Sequence, residues 1–94
     1  MMTEAVFQRQ VIELARLCGW LVYHTHDSRK SAAGFPDLVL VRGRRCVFAE
    51  LKSDVGKPSA DQVTWLTALQ AAEEETYLWR PTDWPQIQAT LTAA

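Results

Sequence analysis

Three residues of this 94-residue chain have types and spacing suited to chemistry: Asp37, Glu50 and Lys52. They flank two apolar runs, 37–42 and 45–52, separated only by Gly43 and Arg44. A two-residue loop with glycine first suits a type II′ hairpin turn. In such a hairpin, residues equally far from the turn face each other. Arg42 then faces Arg45, Val39 faces Phe48, and Asp37 faces Glu50. Opposed residues carry their Cβ atoms roughly 4.5–5.5 Å apart on one face. Two carboxylates that close repel unless a proton or a cation lies between them. A divalent metal with oxygen ligands is the natural occupant, and Mg²⁺ takes only one or two carboxylates plus waters. Lys52, two residues past Glu50, shares its face, while Leu51 points the other way into the core. A lysine there can orient or deprotonate a water, or hold a phosphate. A metal lowers the pKa of bound water and stabilises charge on a phosphate under attack. The alternative is a salt-bridged strand end. Against it stands the cost of burying so many charges on strands otherwise apolar on both faces.

The elements that must position this trio are legible from pattern. Residues 3–18 read as a helix with Thr3 as N-cap, Phe7, Val11, Leu14 and Cys18 as the buried stripe, and Gly19 as the stop. Residues 20–25 are aromatic and β-branched, and read as a strand. A polar loop spans 27–36, and a second spans 54–58. Ser59 opens a helix to about Ala72, with Ser59 and Gln62 at capping-box spacing. Residues 76–80 form a last strand, and Thr82 or Asp83 caps a final helix with Ile87 and Leu91 inward. The expected fold is a mixed α+β (α/β) domain, with the order helix, strand, strand, strand, helix, strand, helix. Because residues 38–41 are all apolar, the hairpin should be covered on both faces of a central mixed sheet flanked by helices.

Composition narrows the functional class. A chain of this length is one domain. With 48% hydrophobic residues it is globular rather than disordered. No apolar run approaches the roughly 18 residues of a membrane span. The N-terminus lacks the basic-then-apolar layout of a signal peptide, so a cytoplasmic protein is expected. Cys18 and Cys46 are not at zinc-site spacing and are expected to be buried thiols. A net charge of −1 argues against indiscriminate coating of nucleic acid. Positive charge is nonetheless concentrated in the middle: Arg29, Lys30, Arg42, Arg44, Arg45, Lys52 and Lys57 fall in one stretch, where a polyanion could be held. An ordinary mixed surface is the other reading.

Gly34-Phe35-Pro36-Asp37 followed by Glu50-Leu51-Lys52 resembles the PD-(D/E)xK nuclease signature. The longer series is similar to the VRR-NUC branch of that superfamily: an early Glu4 with Gln8, then G-x-P-D, E-x-K, and Gln62 with Trp65 and Leu66. The resemblance covers nearly the whole chain. It implies a restriction-endonuclease-like αβββαβ core, Mg²⁺ or Mn²⁺, and hydrolysis of phosphodiester bonds. It further implies that Asp37 and Glu50 are metal ligands, the Leu51 carbonyl a further ligand, and Lys52 catalytic.

The family's helix glutamate is carried onto Glu4. Glu4 lies at helical spacing from Phe7, Gln8 and Val11, whereas Glu13 sits between Arg9 and Arg16 on a polar face. Glu4 would join the metal ligands and the catalytic set. Otherwise it is a first-turn acid favoured by the helix dipole. Gln62 is either a cap for Ser59 or also part of the active site. Arg29, Lys30 and Ser31 are placed to meet DNA phosphates, or else form a solvated loop. His24 and His26 share one strand face without enough ligands for zinc, and the four tryptophans read as core and interface.

Stand-alone members this short resemble Holliday-junction resolvases. A four-way junction is two-fold symmetric, so a C₂ homodimer is expected. A small domain also gains stability by dimerising. Flaps, nicked or linear duplexes are the rival substrates, and a non-catalytic DNA-binding module of the same fold is the rival class.

Overall fold

The computed structural model describes residues 1–26 and 30–94. Helix α1 (Glu4–Leu17) starts as the sequence dictates: the Thr3 hydroxyl accepts the Val6 N–H at 3.2 Å. Strands β1 (Leu21–His24), β2 (Leu38–Arg42) and β3 (Arg45–Leu51) follow. Helix α2 (Ala60–Ala71) opens with the expected capping box. Strand β4 (Glu75–Trp79), a 3-10 turn (Pro81–Asp83) and helix α3 (Trp84–Thr92) complete the chain. Asp83 does not cap α3. Its carboxylate instead accepts the Arg80 N–H at 2.9 Å and fixes the 3-10 turn.

The four strands lie in the order β1-β2-β3-β4, antiparallel except for the parallel β3–β4 pair. The β2–β3 register pairs Arg42 with Arg45 and Val39 with Phe48, as the two-residue turn requires. Gly43 has φ +58°, and Arg44 is not among the positive-φ residues. That combination belongs to a type II′ turn, whose hand matches the strand twist.

Strand alternation divides the sheet into unlike faces. Leu38, Leu40, Val47, Ala49, Leu51 and Trp79 are buried against Phe7, Val11 and Ala15 of α1 and Ile87 and Leu91 of α3. Leu14 and Cys18, expected in the α1 stripe, are half-buried, and Ala15 takes the central place. Both cysteines are free and half-buried rather than buried.

The opposite face is only partly covered. Phe48 meets Phe35 edge-on at 6.2 Å, and Phe35 meets Trp65 of α2 at 5.1 Å. Over β1 and the turn end of β2 nothing comparable packs among the described residues, and Leu21, Tyr23 and Val41 are exposed. This corrects the expectation of a hairpin covered on both faces. The continuous apolar run of β2 reflects one buried face and one half-open face.

Candidate active site

The site forms where β2 and β3 end away from their turn. One residue before β2, the ladder stops and side chains take over. The Asp37 carbonyl still accepts the Thr25 N–H at 2.8 Å. Its carboxylate Oδ2 accepts the Leu51 N–H at 2.8 Å, standing in for a backbone acceptor. The Pro36 carbonyl, which continues the register opposite Leu51, is instead engaged by the Thr25 hydroxyl at 2.8 Å.

Glu50, opposite Asp37 by register, is fully buried. Neither of its carboxylate oxygens has a hydrogen-bond partner among the described residues. The Lys52 ammonium lies 3.5 Å from Glu50 Oε2, an ion pair longer than a good hydrogen bond. Burial, then the charge of Asp37, raises the Glu50 carboxyl from 4.5 to about 7, with Lys52 pulling the other way. A buried carboxylate with both oxygens orphaned is costly unless something else satisfies it. Two converging carboxylates beside the Leu51 carbonyl form an all-oxygen donor set that suits a hard divalent cation.

Beside this pair a cleft of about 800 Å³ opens on the half-covered face. Tyr23, Thr25 and Asp37 line it from the sheet, Gln62 and Trp65 from α2, and Ser31 to Phe35 from the intervening loop. Gly34 sets this arrangement. Its φ is +89°, and a Cβ there would fall 2.4 Å from the Asp61 backbone carbon. Only glycine lets the G-x-P-D loop press against the first turn of α2. Trp65 locks the contact by donating its indole N–H to the Ala33 carbonyl at 3.1 Å.

The sequence-derived site residues divide accordingly. Asp37, Glu50, Leu51 and Lys52 are brought together. Gln62 is the cap, its amide oxygen accepting the Ser59 N–H at 2.8 Å, and it also lies along the cleft. Ser31 lines the cleft, and Lys30 is exposed in the same loop. Arg29 lies outside the described residues. Glu4 is exposed rather than on the buried stripe. Among the described residues no group of three or more His, Cys, Asp or Glu side chains is placed to hold a metal, so Glu4 does not join Asp37 and Glu50. The reason is its place in the first turn, ahead of Phe7, where α1 first meets the core.

The basic stretch also divides. Arg42 and Arg45 sit at the turn end of the hairpin, remote from the carboxylates. Both guanidiniums lie over the Trp20 ring, at 4.5 and 4.9 Å from its centroid. Arg42 donates to the Cys18, Leu91 and Ala93 carbonyls. Arg45 donates to the Thr90 and Ala93 carbonyls and pairs with Glu75 at 2.5 Å. They cap the C-terminal end of α3, where carbonyls carry partial negative charge. Two charges counted toward a polyanion site are thus structural.

Sequence reasoning missed Tyr23 and Arg80. Arg80 donates to the Ser53 and Gly56 carbonyls at 2.6 and 2.7 Å, fixing the loop that follows Lys52. Alternation within β1 placed Tyr23 on one face. Only the β1–β2 register, closed through a long loop, assigns that face to Asp37.

The architecture is a mixed α+β, restriction-endonuclease-like fold, a four-stranded mixed sheet flanked by three helices. A solved structure described as a VRR_NUC domain protein shares it with a TM-score of 0.74. The similarity covers 96% of this chain and 85% of that one, at 17% sequence identity. No family model matches the chain, and no curated protein sequence matches it. Among the described residues no helix is long and apolar enough to cross a membrane.

Proposed function

We propose that this chain is a divalent-metal-dependent endonuclease that hydrolyses phosphodiester bonds in branched DNA, resolving four-way junctions as a homodimer. The observation that carries this reading is the buried Glu50 carboxylate, orphaned at both oxygens and opposed to Asp37, with Lys52 at 3.5 Å. A purely structural ion pair would be expected to satisfy at least one of those oxygens well. The similarity to a VRR_NUC domain protein supports the same reading.

Asp37, Glu50 and the Leu51 carbonyl would hold Mg²⁺ or Mn²⁺. A bound ion supplies a water of lowered pKa and offsets charge on the phosphate under attack. Lys52, on the same strand face as Glu50, would orient an attacking water or take its proton. Gln62 presents its amide to the cleft from a position its own cap fixes. Lys30 and Ser31 meet the phosphates that position the substrate. Leu21 and Val41, exposed cross-strand partners on the edge pair of the sheet, offer apolar surface that dimerisation would cover.

The test is cleavage of a four-way junction, a flap and a linear duplex with Mg²⁺ or Mn²⁺. Wild type should nick the junction in preference to the others. Lys52→Ala and Glu50→Gln should each lower the rate about 10²–10⁴-fold, the scale of a lost acid–base or metal-binding group. Equal cleavage by Glu50→Gln would sink the metal assignment. Sedimentation showing only monomer at micromolar concentration would remove the resolvase form of the proposal.

A further inference from the structure

Tyr23 is an aromatic side chain left 60% exposed on a sheet whose other large rings are mostly tucked against neighbours. It lines the cleft beside Asp37. In the β1–β2 register Tyr23 pairs with Val39, so Asp37, two residues earlier, is its diagonal neighbour on the same face. Diagonal residues in an antiparallel pair lie roughly 7–8 Å apart. A single sugar–phosphate unit bridges that distance. A phosphate held through a cation at Asp37 and Glu50 would therefore bring the adjoining base over Tyr23.

The surroundings suit a flat, polar-edged ring. Trp65 stands on the opposite wall, its indole fixed by the Ala33 carbonyl at 3.1 Å and by Phe35 edge-on. Ser31 and Gln62 bring hydrogen-bonding groups to the rim. Leu21 and Val41 lie outside the cleft lining, so Tyr23 sits in the concavity rather than on the flat apolar edge.

We infer that this cleft is a nucleobase-stacking subsite, in which Tyr23 receives an unpaired base next to the scissile phosphate. The inference rests on the nuclease reading and deepens it, because a base held in a duplex stack cannot lie on Tyr23. The subsite selects DNA with an unstacked nucleotide at a branch point over continuous duplex. Stacking on an aromatic side chain tolerates every base, so the preference is for structure rather than sequence.

The experiment uses forked DNA carrying 2-aminopurine in the unpaired arm beside the fork, titrated with wild-type protein in Ca²⁺ in place of Mg²⁺, so that the phosphate is held but binding is read without cleavage. Stacking should quench the fluorescence. Tyr23→Phe and Tyr23→Trp should keep the quench. Tyr23→Ala, and Tyr23→Thr as a ring-less residue that still favours strand, should abolish it and weaken fork binding about tenfold, leaving duplex binding unchanged. Cleavage of the fork in Mg²⁺ is followed in parallel. Persistent quenching without cleavage would separate a true stacking subsite from a failed nuclease reading. Wild-type quenching by Tyr23→Thr, an equal loss of duplex binding, or no fork binding by wild type would overturn the inference. Conversion of a wild-type dimer to monomer by Tyr23→Ala would also overturn it, since a second copy would then cover the ring.

Discussion

The Asp37 carboxylate accepts the backbone N–H of Leu51 at 2.8 Å, across the strand pair from Glu50. One side chain thus closes the sheet ladder and contributes half of the acidic pair. Substituting Asp37 should cost stability as well as activity. In Asp37→Ala the Leu51 N–H loses its partner, at about 1–3 kcal/mol. Asn retains an acceptor oxygen. Urea unfolding in EDTA should find Asp37→Ala clearly destabilised and Asp37→Asn near wild type, with both inactive. Equal stability of the two variants would contradict the structural half of this role.

The pH dependence of the metal-free protein follows from Glu50. Burial and Asp37 raise its carboxyl from 4.5 to about 7. Between those values the folded chain binds more protons than the unfolded chain, so stability falls as pH rises through the window and levels off above it. Glu75 acts in the opposite sense at lower pH, since its hydrogen bond with Arg45 holds its carboxyl below 4.5. Glu50→Gln should flatten the decline. At pH 8 in EDTA it should raise stability by about 1 kcal/mol, roughly 4–8 °C for a domain this size. A variant less stable than wild type under those conditions would contradict the assignment.

Gly34→Ala should be among the most damaging single-methyl additions. The new Cβ would lie 2.4 Å from Asp61 backbone, at a φ of +89° that alanine disfavours. The expected loss is about 2 kcal/mol or more. Because the strain is relieved by moving the loop off α2, intrinsic tryptophan fluorescence from Trp65 should shift even in the folded variant. Unaltered stability and fluorescence would mean that the loop does not depend on this contact.

Charge substitutions should distinguish structural from substrate-facing cations. Arg45→Ala breaks the Glu75 pair and uncaps α3, so it should lower stability by about 1–3 kcal/mol. It should leave the salt dependence of DNA binding unchanged. Lys30→Ala should reduce the slope of log affinity against log salt by about 1. The two measurements together test whether the basic stretch is divided as described.

Much of the site was readable because it is local. The Gly43–Arg44 turn fixed the β2–β3 register, and that register brought Asp37 and Glu50 face to face with Lys52 on the same side. Ser59 and Gln62 announced their cap by spacing alone. Each of these relations spans few residues, so hydrogen-bond geometry and the strand period of two settle it.

Other relations depend on how distant elements meet. The stripe that suggested a buried Glu4 holds only from Phe7 onward, because the first turn of α1 stays exposed. Arg42 and Arg45 looked like substrate-facing charge until α3 returned its C-terminal end to the hairpin turn.

The sequence by itself determined the opposed carboxylates, their lysine and the element order around them, since a two-residue turn leaves the hairpin one register. Only the tertiary structure decided that Glu50 would be buried without a hydrogen-bond partner, that Gly34 would press on Asp61, and that Tyr23 would remain exposed beside Asp37. Those outcomes depend on which sheet face each helix covers and how much of it. Side-chain volume and long-range packing fix that coverage, and neither has a short-range signature in the chain.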